Sequence, residues 1–253
     1  MKAIVLAGGY AKRLYPITQN QAKSLLPVAG RLMIERLLDC LTPIPDLASI
    51  HIVTNDKFHP DFCKWLDAYR PANGHVEISI TNNGSREGSC EIGAIGNLHL
   101  VLDQEMIDDD IIVVASDNLF SQSLEGFAGF ARSKNSPVVA CYTMEDTQHA
   151  GQYGYIEVDN EGRVTFFEEK PAEVRGPTIG VALYYYPKSS LPLIRKYIDD
   201  RHNSEEPGRL VEWMYKRTPF FAWPVPGIWC DIGSKQKLED ANRLFARVDK
   251  AAV

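Results

Sequence analysis

A chain of 253 residues that is 45% hydrophobic and 24% charged is long enough to build a large core without disulfide or metal staples. Its 18 glycines and 15 prolines are ordinary for that length, which excludes collagen-like, coiled-coil and disordered readings. The formal net charge of −6, from 27 Lys and Arg against 33 Asp and Glu, comes with no basic run. Nucleic acid and an anionic membrane are therefore not expected as partners, although a local basic pocket for a small phosphate ligand remains open. The five cysteines, Cys40, Cys63, Cys90, Cys141 and Cys230, are widely spaced with no C-x-x-C pair, so neither a disulfide framework nor a zinc knuckle is expected. The first apolar run is cut off at Gly8-Gly9, too short for a signal-peptide core. No stretch approaches the ~20 apolar residues of a membrane span, and a cytoplasmic location is the expectation.

Taken in chain order, short Val- and Ile-rich runs at 3–7, 50–54, 76–80, 111–115 and 138–142 read as buried strands. Between them, helical spacing links Leu32, Met33, Leu37, Leu38 and Leu41, then Phe62, Leu66 and Tyr69, then Ile95, Leu98 and Leu102, then Leu124, Phe127 and Phe130. Alternation through about residue 145 predicts an α/β fold whose sheet is largely parallel and covered on both faces. The pattern then changes. Residues 153–158, a turn at Asn160-Glu161-Gly162 and residues 164–168 read as a hairpin, and 179–186 adds a strand to make an antiparallel annex. Helices follow at 190–198 and 210–215, strands at 220–224 and 228–231, and Ser234 reads as the N-cap of a last helix carrying Leu238, Ala241, Leu244 and Phe245. With no repeat and no linker composition, a single domain over 1–253 is expected.

In open α/β sheets ligands bind beyond the carboxyl ends of the strands, which directs attention to Leu6-Ala7-Gly8-Gly9-Tyr10-Ala11-Lys12-Arg13-Leu14-Tyr15-Pro16-Ile17-Thr18. Glycines allow backbone amides to approach phosphate oxygens, and Arg13 and the downstream Lys23 supply cations. The loop fits neither G-x-G-x-x-G nor the G-K-[ST] of a P-loop. Taken alone, Gly8-Gly9 also suits a tight strand-to-helix turn with solvated basic residues. Asp117, in Ser116-Asp117-Asn118, and Asp231, in Trp229-Cys230-Asp231-Ile232-Gly233, each end a strand. They read either as oxygen ligands for Mg²⁺, which takes one or two carboxylates and completes its shell with water and phosphate, or as a turn cap and a surface acid.

The combination G-G-x-x-x-R-L-x-P-x-T, then K-x-L-L-P-V from Lys23 to Val28, closely resembles the signature of the sugar-1-phosphate nucleotidylyltransferases. The resemblance spans roughly residues 1–245 and implies a Rossmann-like three-layer fold of the GT-A-like kind, with a mixed central sheet. It divides the chain into a nucleotide-binding part at about 1–120, a sugar-phosphate-binding part at about 121–233 and a C-terminal helix at about 234–247, with no room for the acetyltransferase β-helix of bifunctional relatives. By that match Leu6, Ala7, Gly8 and Gly9 wrap the triphosphate, Arg13 activates its phosphates and Lys23 holds them. Asp117 and Asp231 match the family's metal-binding positions. Three departures stand out: Gly9-Tyr10-Ala11-Lys12 replaces a common Gly-x-Gly-Thr, Ala22 stands where Pro often precedes the Lys, and Ser116 replaces a usual Gly.

The resemblance extends to Tyr153, Gly154, Glu169, Lys170 and Gly180 on the sugar side. Glu169 would accept from sugar hydroxyls, Lys170 would hold the sugar phosphate, and the glycines would admit a close approach. Asn83 and Gly88 stand where related enzymes read the base, with Asn in place of Gln, so nucleotide choice stays open with dTTP or UTP slightly favoured. The implied reaction joins an NTP and a sugar 1-phosphate with Mg²⁺, and homo-oligomers occur among relatives. Rival readings are transfer to another phosphorylated acceptor, a glycosyltransferase of similar topology, and a non-catalytic regulatory subunit. The absence of a D-x-D motif at Asp117 speaks against the glycosyltransferase. The six histidines, His51, His59, His75, His99, His149 and His202, show no metal spacing and read as structural or surface residues. Tyr184-Tyr185-Tyr186 reads as strand packing, and Asp108-Asp109-Asp110 as a solvated turn.

Overall fold

The computed structural model describes residues 1–70, 76–88 and 91–251; His75 and Cys90 lie outside them. In chain order the elements are β1 (Lys2–Ala7), β2 (Pro27–Val28), β3 (Arg31–Leu32), α1 (Met33–Leu41), β4 (Ser49–Thr54), α2 (His59–Ala68), β5 (Glu77–Asn82) and α3 (Gly93–Gln104). Then come β6 (Ile111–Ala115), β7 (Asn118–Phe120), α4 (Glu125–Lys134), β8 (Val138–Thr143), β9 (Gly154–Val158), β10 (Val164–Glu169) and β11 (Thr178–Tyr186). The chain finishes with α5 (Leu191–Asp199), α6 (Gly208–Met214), β12 (Phe221–Pro224), β13 (Trp229–Asp231) and α7 (Lys235–Ala251). The chain divides into two compact units, one of Met1–Ile4, Ile92–Val114 and Gly126–Val225, the other of Val5–Glu91, Ala115–Glu125 and Pro226–Val253.

In the second of these units β4 and β5 pair in parallel, from Ser49 opposite Glu77 to Thr54 opposite Asn82, and every residue of β4 is buried. That suits a run of Ile and Val covered on both faces. A small antiparallel ladder sets Trp229 opposite Phe120, Cys230 opposite Leu119 and Asp231 opposite Asn118. One apolar cluster gathers Leu14, Leu26, Val28, Met33, Leu119, Ile232, Ala241 and Phe245, so it grips the glycine loop, α1, β7, the end of β13 and α7 together. Arg36, buried to 8% exposure, donates to Val28 O and Ala29 O and pairs with Asp249 at 2.6 Å, which fastens the far end of α7.

In the other unit β11 is the organising strand. Its residues Thr178, Ile179 and Gly180 run antiparallel to β8, and Ile179 and Gly180 also pair with β9, while Leu183 to Tyr186 pair with β6. The β9–β10 hairpin turns where Asp159 Oδ1 accepts from the amides of Glu161 and Arg163, both at 2.9 Å. Such an Asx turn is a short-range instruction carried by the sequence.

The mixed α/β expectation holds, with one correction. β8, read as part of the parallel alternation, lies antiparallel to β11 and parallel only to β12. Periodicity marks a buried strand but says nothing about its direction, which depends on how the later strands β11 and β12 come back beside it. The two-residue strands β2 and β3 and the three-residue β7 were not anticipated, being too short to show any period. Asp108 and Asp110 are engaged by partners as well as by solvent: Asp108 pairs with Lys188, and Asp110 accepts from Tyr185 Oη at 2.7 Å and from the Lys188 amide at 2.8 Å. Tyr184, Tyr185 and Tyr186 are all buried, as strand packing requires. His51 is buried between Ser49 Oγ and Ser79 Oγ, at 2.9 and 2.8 Å, a structural histidine.

Ser234 caps α7, its Oγ accepting from the Lys237 amide at 3.2 Å. Replacing it by Ala removes an acceptor from an orphan helix N–H, and a loss of about 1 kcal/mol is expected in urea unfolding, with the midpoint lowered and the slope unchanged.

Candidate active site

After β1 the chain enters the glycine loop with its carbonyls already committed: Leu6 O accepts from the Ser116 amide, Ala7 O from Thr54 Oγ1 and Gly8 O from Asn55 Nδ2. Tyr10 tucks underneath, 3% exposed, its hydroxyl donating to Ser85 O at 2.9 Å. Ala11 takes φ 49 and ψ 44, the left-handed region, and its carbonyl accepts from the buried Thr18 hydroxyl at 2.8 Å. A non-glycine residue there costs about 1 kcal/mol, so the loop keeps a glycine-type conformation without the glycine that the resemblance leads one to expect. The 3-10 turn Lys12–Leu14 then buries Leu14 and leaves Arg13 exposed.

Lys23 sits in a second 3-10 turn, Lys23–Leu25. Its ammonium pairs with Asp117 Oδ2 and donates to Ile232 O at 3.1 Å. Asp117 and Asp231 meet because of the β7–β13 ladder: Asp231 lies opposite Asn118, and the Ile232 amide donates to Asp117 O at 3.1 Å. Asn118 is fixed in turn, donating to Asp117 Oδ1 and accepting from the Trp229 indole at 2.8 Å. Beside them, Lys237 from α7 donates to Asp231 Oδ2 at 3.1 Å. The Ser for Gly departure has a structural partner: Ser116, 3% exposed, accepts from Ser24 Oγ at 2.6 Å, which ties the Lys23 turn to the Asp117 turn.

These groups line one cavity of about 380 Å³, with Lys12, Arg13, Lys23, Glu91, Asp117 and Asp231 on its wall. The two carboxylates titrate in opposite senses. Burial alone would raise Asp117, but the Lys23 charge and hydrogen bond, helped by Asn118, bring it below the usual range. Asp231 is raised, first by burial and then by the negative charge of Asp117, with Lys237 and Lys23 opposing. Paired, partly buried carboxylates of this kind gain from a divalent cation. The donor set fits Mg²⁺, which needs no more than one or two protein carboxylates. Among the described residues no group of three or more His, Cys, Asp or Glu forms a fuller cage.

Asn83 and Gly88 do not stand on the wall of this cavity. Asn83 Oδ1 accepts from the Ser85 amide at 2.8 Å, shaping the turn after β5, and Gly88 has φ +80. Glu91, which pairs with Lys12 at 3.7 Å, and Lys237 were not foreseen. Neither lies in a motif, and only the fold brings Glu91 to the cavity wall and Lys237 to Asp231 behind it.

The expected sugar-side residues also come together, within the other unit. Gly154 is paired with Glu169 on one side and with Gly180 on the other. A Cβ at Gly154 would lie 2.3 Å from the Phe167 ring and 3.0 Å from Glu169 Oε2, and one at Gly208 would lie 1.8 Å from Glu169 Oε2. Glycine at 154 and 208 therefore makes room for this side chain. Tyr153 adjoins through its carbonyl, which accepts from the Lys170 amide at 3.2 Å. Glu169 is 9% exposed, and burial raises its carboxyl to about 7, with Lys170 and Arg209 opposing and Glu206 and Glu212 reinforcing. Lys170 Nζ donates to Glu206 Oε1 at 2.6 Å. Glu206, Arg209 and Glu212 carry no motif and were missed in the sequence.

A model of the family described as nucleotidyl transferase matches residues 2–247. Among curated proteins, the bifunctional protein GlmU of Methanocaldococcus jannaschii is 21% identical over 243 residues, which cover 96% of this chain and 54% of that protein. The chain thus spans about half the length of this relative. The glucose-1-phosphate thymidylyltransferase of Neisseria meningitidis serogroup A is 26% identical over 247 residues, covering 95% of this chain and 81% of that one. Among solved structures, one from Bacillus anthracis described as a glucose-1-phosphate thymidylyltransferase in complex with sucrose superposes with a TM-score of 0.78 at 26% identity, covering 97% of this chain and 95% of that chain.

The raised Glu169 carboxyl has a measurable consequence for stability. A carboxyl that titrates at about 7 when folded and near 4.5 when unfolded binds more protons in the native state between those values, so its contribution falls as pH rises through that window. Glu169→Gln should match the parent at pH 4 and be more stable above pH 7, by an amount on the order of 3 kcal/mol. Denaturant midpoints of both proteins at pH 4, 6 and 8 test this; a constant difference across the series contradicts it.

Proposed function

Because the chain belongs to the nucleotidyl transferase family, we propose that it joins a nucleoside triphosphate to a sugar 1-phosphate, giving an NDP-sugar and pyrophosphate. The observation that carries this reading is the single cavity that holds Arg13, Lys23, Asp117 and Asp231, the four charged positions of the signature. An oxygen of the sugar phosphate attacks the α-phosphorus in line. The new P–O bond forms as the bond to the bridging oxygen breaks, and pyrophosphate leaves with that electron pair. No covalent enzyme intermediate is needed, since positioning and charge neutralisation supply most of the rate in such chemistry.

Arg13, exposed on its turn, is suited to grip phosphate oxygens in bidentate fashion. Lys23 offers a point charge to the same phosphates, while its contact with Ile232 O keeps it at the cavity wall. The backbone of Leu6, Ala7, Gly8 and Gly9, anchored through the carbonyls of Leu6, Ala7 and Gly8 and leading into the cavity wall at Tyr10, carries the triphosphate. Asp117 and Asp231 would hold Mg²⁺, which when bound polarises phosphate oxygens and offsets their charge. Lys237 and Asn118 orient these two carboxylates. On the acceptor side Glu169 accepts from sugar hydroxyls, Lys170 pairs with the phosphate and Tyr153 frames the site, while Gly154 and Gly180, expected to admit the sugar, instead make room for the Phe167 ring that backs Glu169. The spacing of Asn83 and Gly88 and the thymidylyltransferase relative support dTTP or UTP as the donor. A cytoplasmic location belongs to the same reading, and no helix among the described residues is long and apolar enough to cross a membrane.

Pyrophosphate release should require both an NTP and a sugar 1-phosphate and should stop with EDTA. A panel of dTTP, UTP, CTP, GTP and ATP against glucose 1-phosphate, other sugar phosphates and phosphocholine names base and acceptor together. Silence across the panel, with an NTP still bound, overturns the reading. Asp231→Asn should cut turnover roughly a hundredfold while leaving the fold intact, because the partly buried carboxylate it removes is already disfavoured in its ionised form. A fully active variant removes Asp231 from the metal site.

A further inference from the structure

We propose that Glu206 is an internal stand-in for the phosphate of the incoming acceptor, its carboxylate bridging Lys170 and Arg209 until a phosphate monoester displaces it. This rests on the acceptor role given to Lys170 above and adds to it a second cation and a built-in competitor.

Glu206 Oε1 accepts from Lys170 Nζ at 2.6 Å, while its Oε2 lies 3.6 Å from Arg209 Nε. The first contact is a strong charge-assisted hydrogen bond; the second is an ion pair without one. Glu206 Oε2 and Arg209 Nε are both buried with no hydrogen-bond partner among the described residues. Arg209 Nη1 is engaged elsewhere, donating to Glu212 Oε2 at 3.2 Å. A planar carboxylate fixed by its short bond to Lys170 leaves the guanidinium Nε–H unsatisfied, and a buried unsatisfied donor is costly. A phosphate dianion carries its charge on several tetrahedrally spread oxygens. It can accept from the ammonium and from the guanidinium at once, a geometry to which arginine is matched.

The three side chains start from differently anchored backbone. Lys170 is held at a positive φ of 50 and by its amide bond to Tyr153 O. Arg209 lies within α6 and is tied to Glu212, whereas Glu206 belongs to the non-helical connection between α5 and α6, its side chain 24% exposed. Withdrawal of the carboxylate would free both Lys170 Nζ and Arg209 Nε for a common anion.

Binding of inorganic phosphate, glucose 1-phosphate and glucose to the full chain, measured by calorimetry, tests the exchange. Glu206→Gln should tighten both phosphate-bearing ligands roughly two- to fivefold, the worth of a partly exposed ion pair, and leave glucose unchanged. The gain should vanish in the Glu206→Gln, Arg209→Gln double variant, which separates this site from any phosphate taken by Arg13 and Lys23. In turnover, the acceptor KM should fall while kcat does not rise. Weaker or unchanged phosphate binding in Glu206→Gln would mean that the carboxylate only orients Lys170, and the inference falls. If circular dichroism shows that Glu206→Gln does not fold, Glu206→Asp, whose shorter arm loosens the bridge, must shift phosphate binding in the same direction. Pyrophosphate release without tightening sinks the inference alone. Tightening in a chain that releases no pyrophosphate with any substrate sinks the proposed reaction and leaves the anion site standing.

Discussion

The three-residue ladder between β7 and β13 is the constraint on which the candidate active site depends. By setting Asp231 opposite Asn118 it places two carboxylates from sequence positions more than a hundred residues apart side by side. The apolar cluster behind it, with Leu14, Leu119 and Ile232 each within two residues of a charged cavity group, converts hydrophobic burial into the positioning of Arg13, Asp117 and Asp231. Burial of that cluster, at about 25 cal/mol per Å² of apolar surface, is what sustains the repulsion of adjacent acids. Lys23 and Lys237 then divide the task of neutralising them, one for each carboxylate.

The two units share an electrostatic logic. In each, cations that could serve a phosphate are stationed on acidic side chains of the protein itself: Lys23 on Asp117 in one, Lys170 and Arg209 around Glu206 in the other. Such pairing keeps long basic side chains in one geometry and lowers the reorganisation needed when an anion arrives. It also accounts for clustered cations in a chain of net charge −6, since local arrangement and not total charge sets the potential there.

Most of the regular elements were legible in the sequence because each long strand or helix carries its own period. Ile50 to Thr54 and the apolar stripe of α1 announce themselves in isolation. The direction of β8 was not legible, because its partners β11 and β12 come later in the chain and nothing within β8 itself encodes how they return. Arg13, Lys23, Asp117 and Asp231 were legible as positions of the family resemblance. Glu91, Lys237, Glu206 and Arg209 were not, because each is an ordinary surface residue by type and gains its role only from tertiary proximity. The Asn160-Glu161-Gly162 turn stood between: the residues gave its place, and the bonds from Asp159 gave its geometry.

The hydroxyl pair Ser24–Ser116 has a bearing on how this chain can drift. Losing one serine strands a buried hydroxyl, at about 1–3 kcal/mol, whereas exchanging both for apolar groups of similar shape is close to neutral. Positions 24 and 116 are therefore epistatic: a glycine at 116 is reached downhill only from a background already altered at 24. The lysine turn and the aspartate turn, although 92 positions apart, must change as one inherited unit.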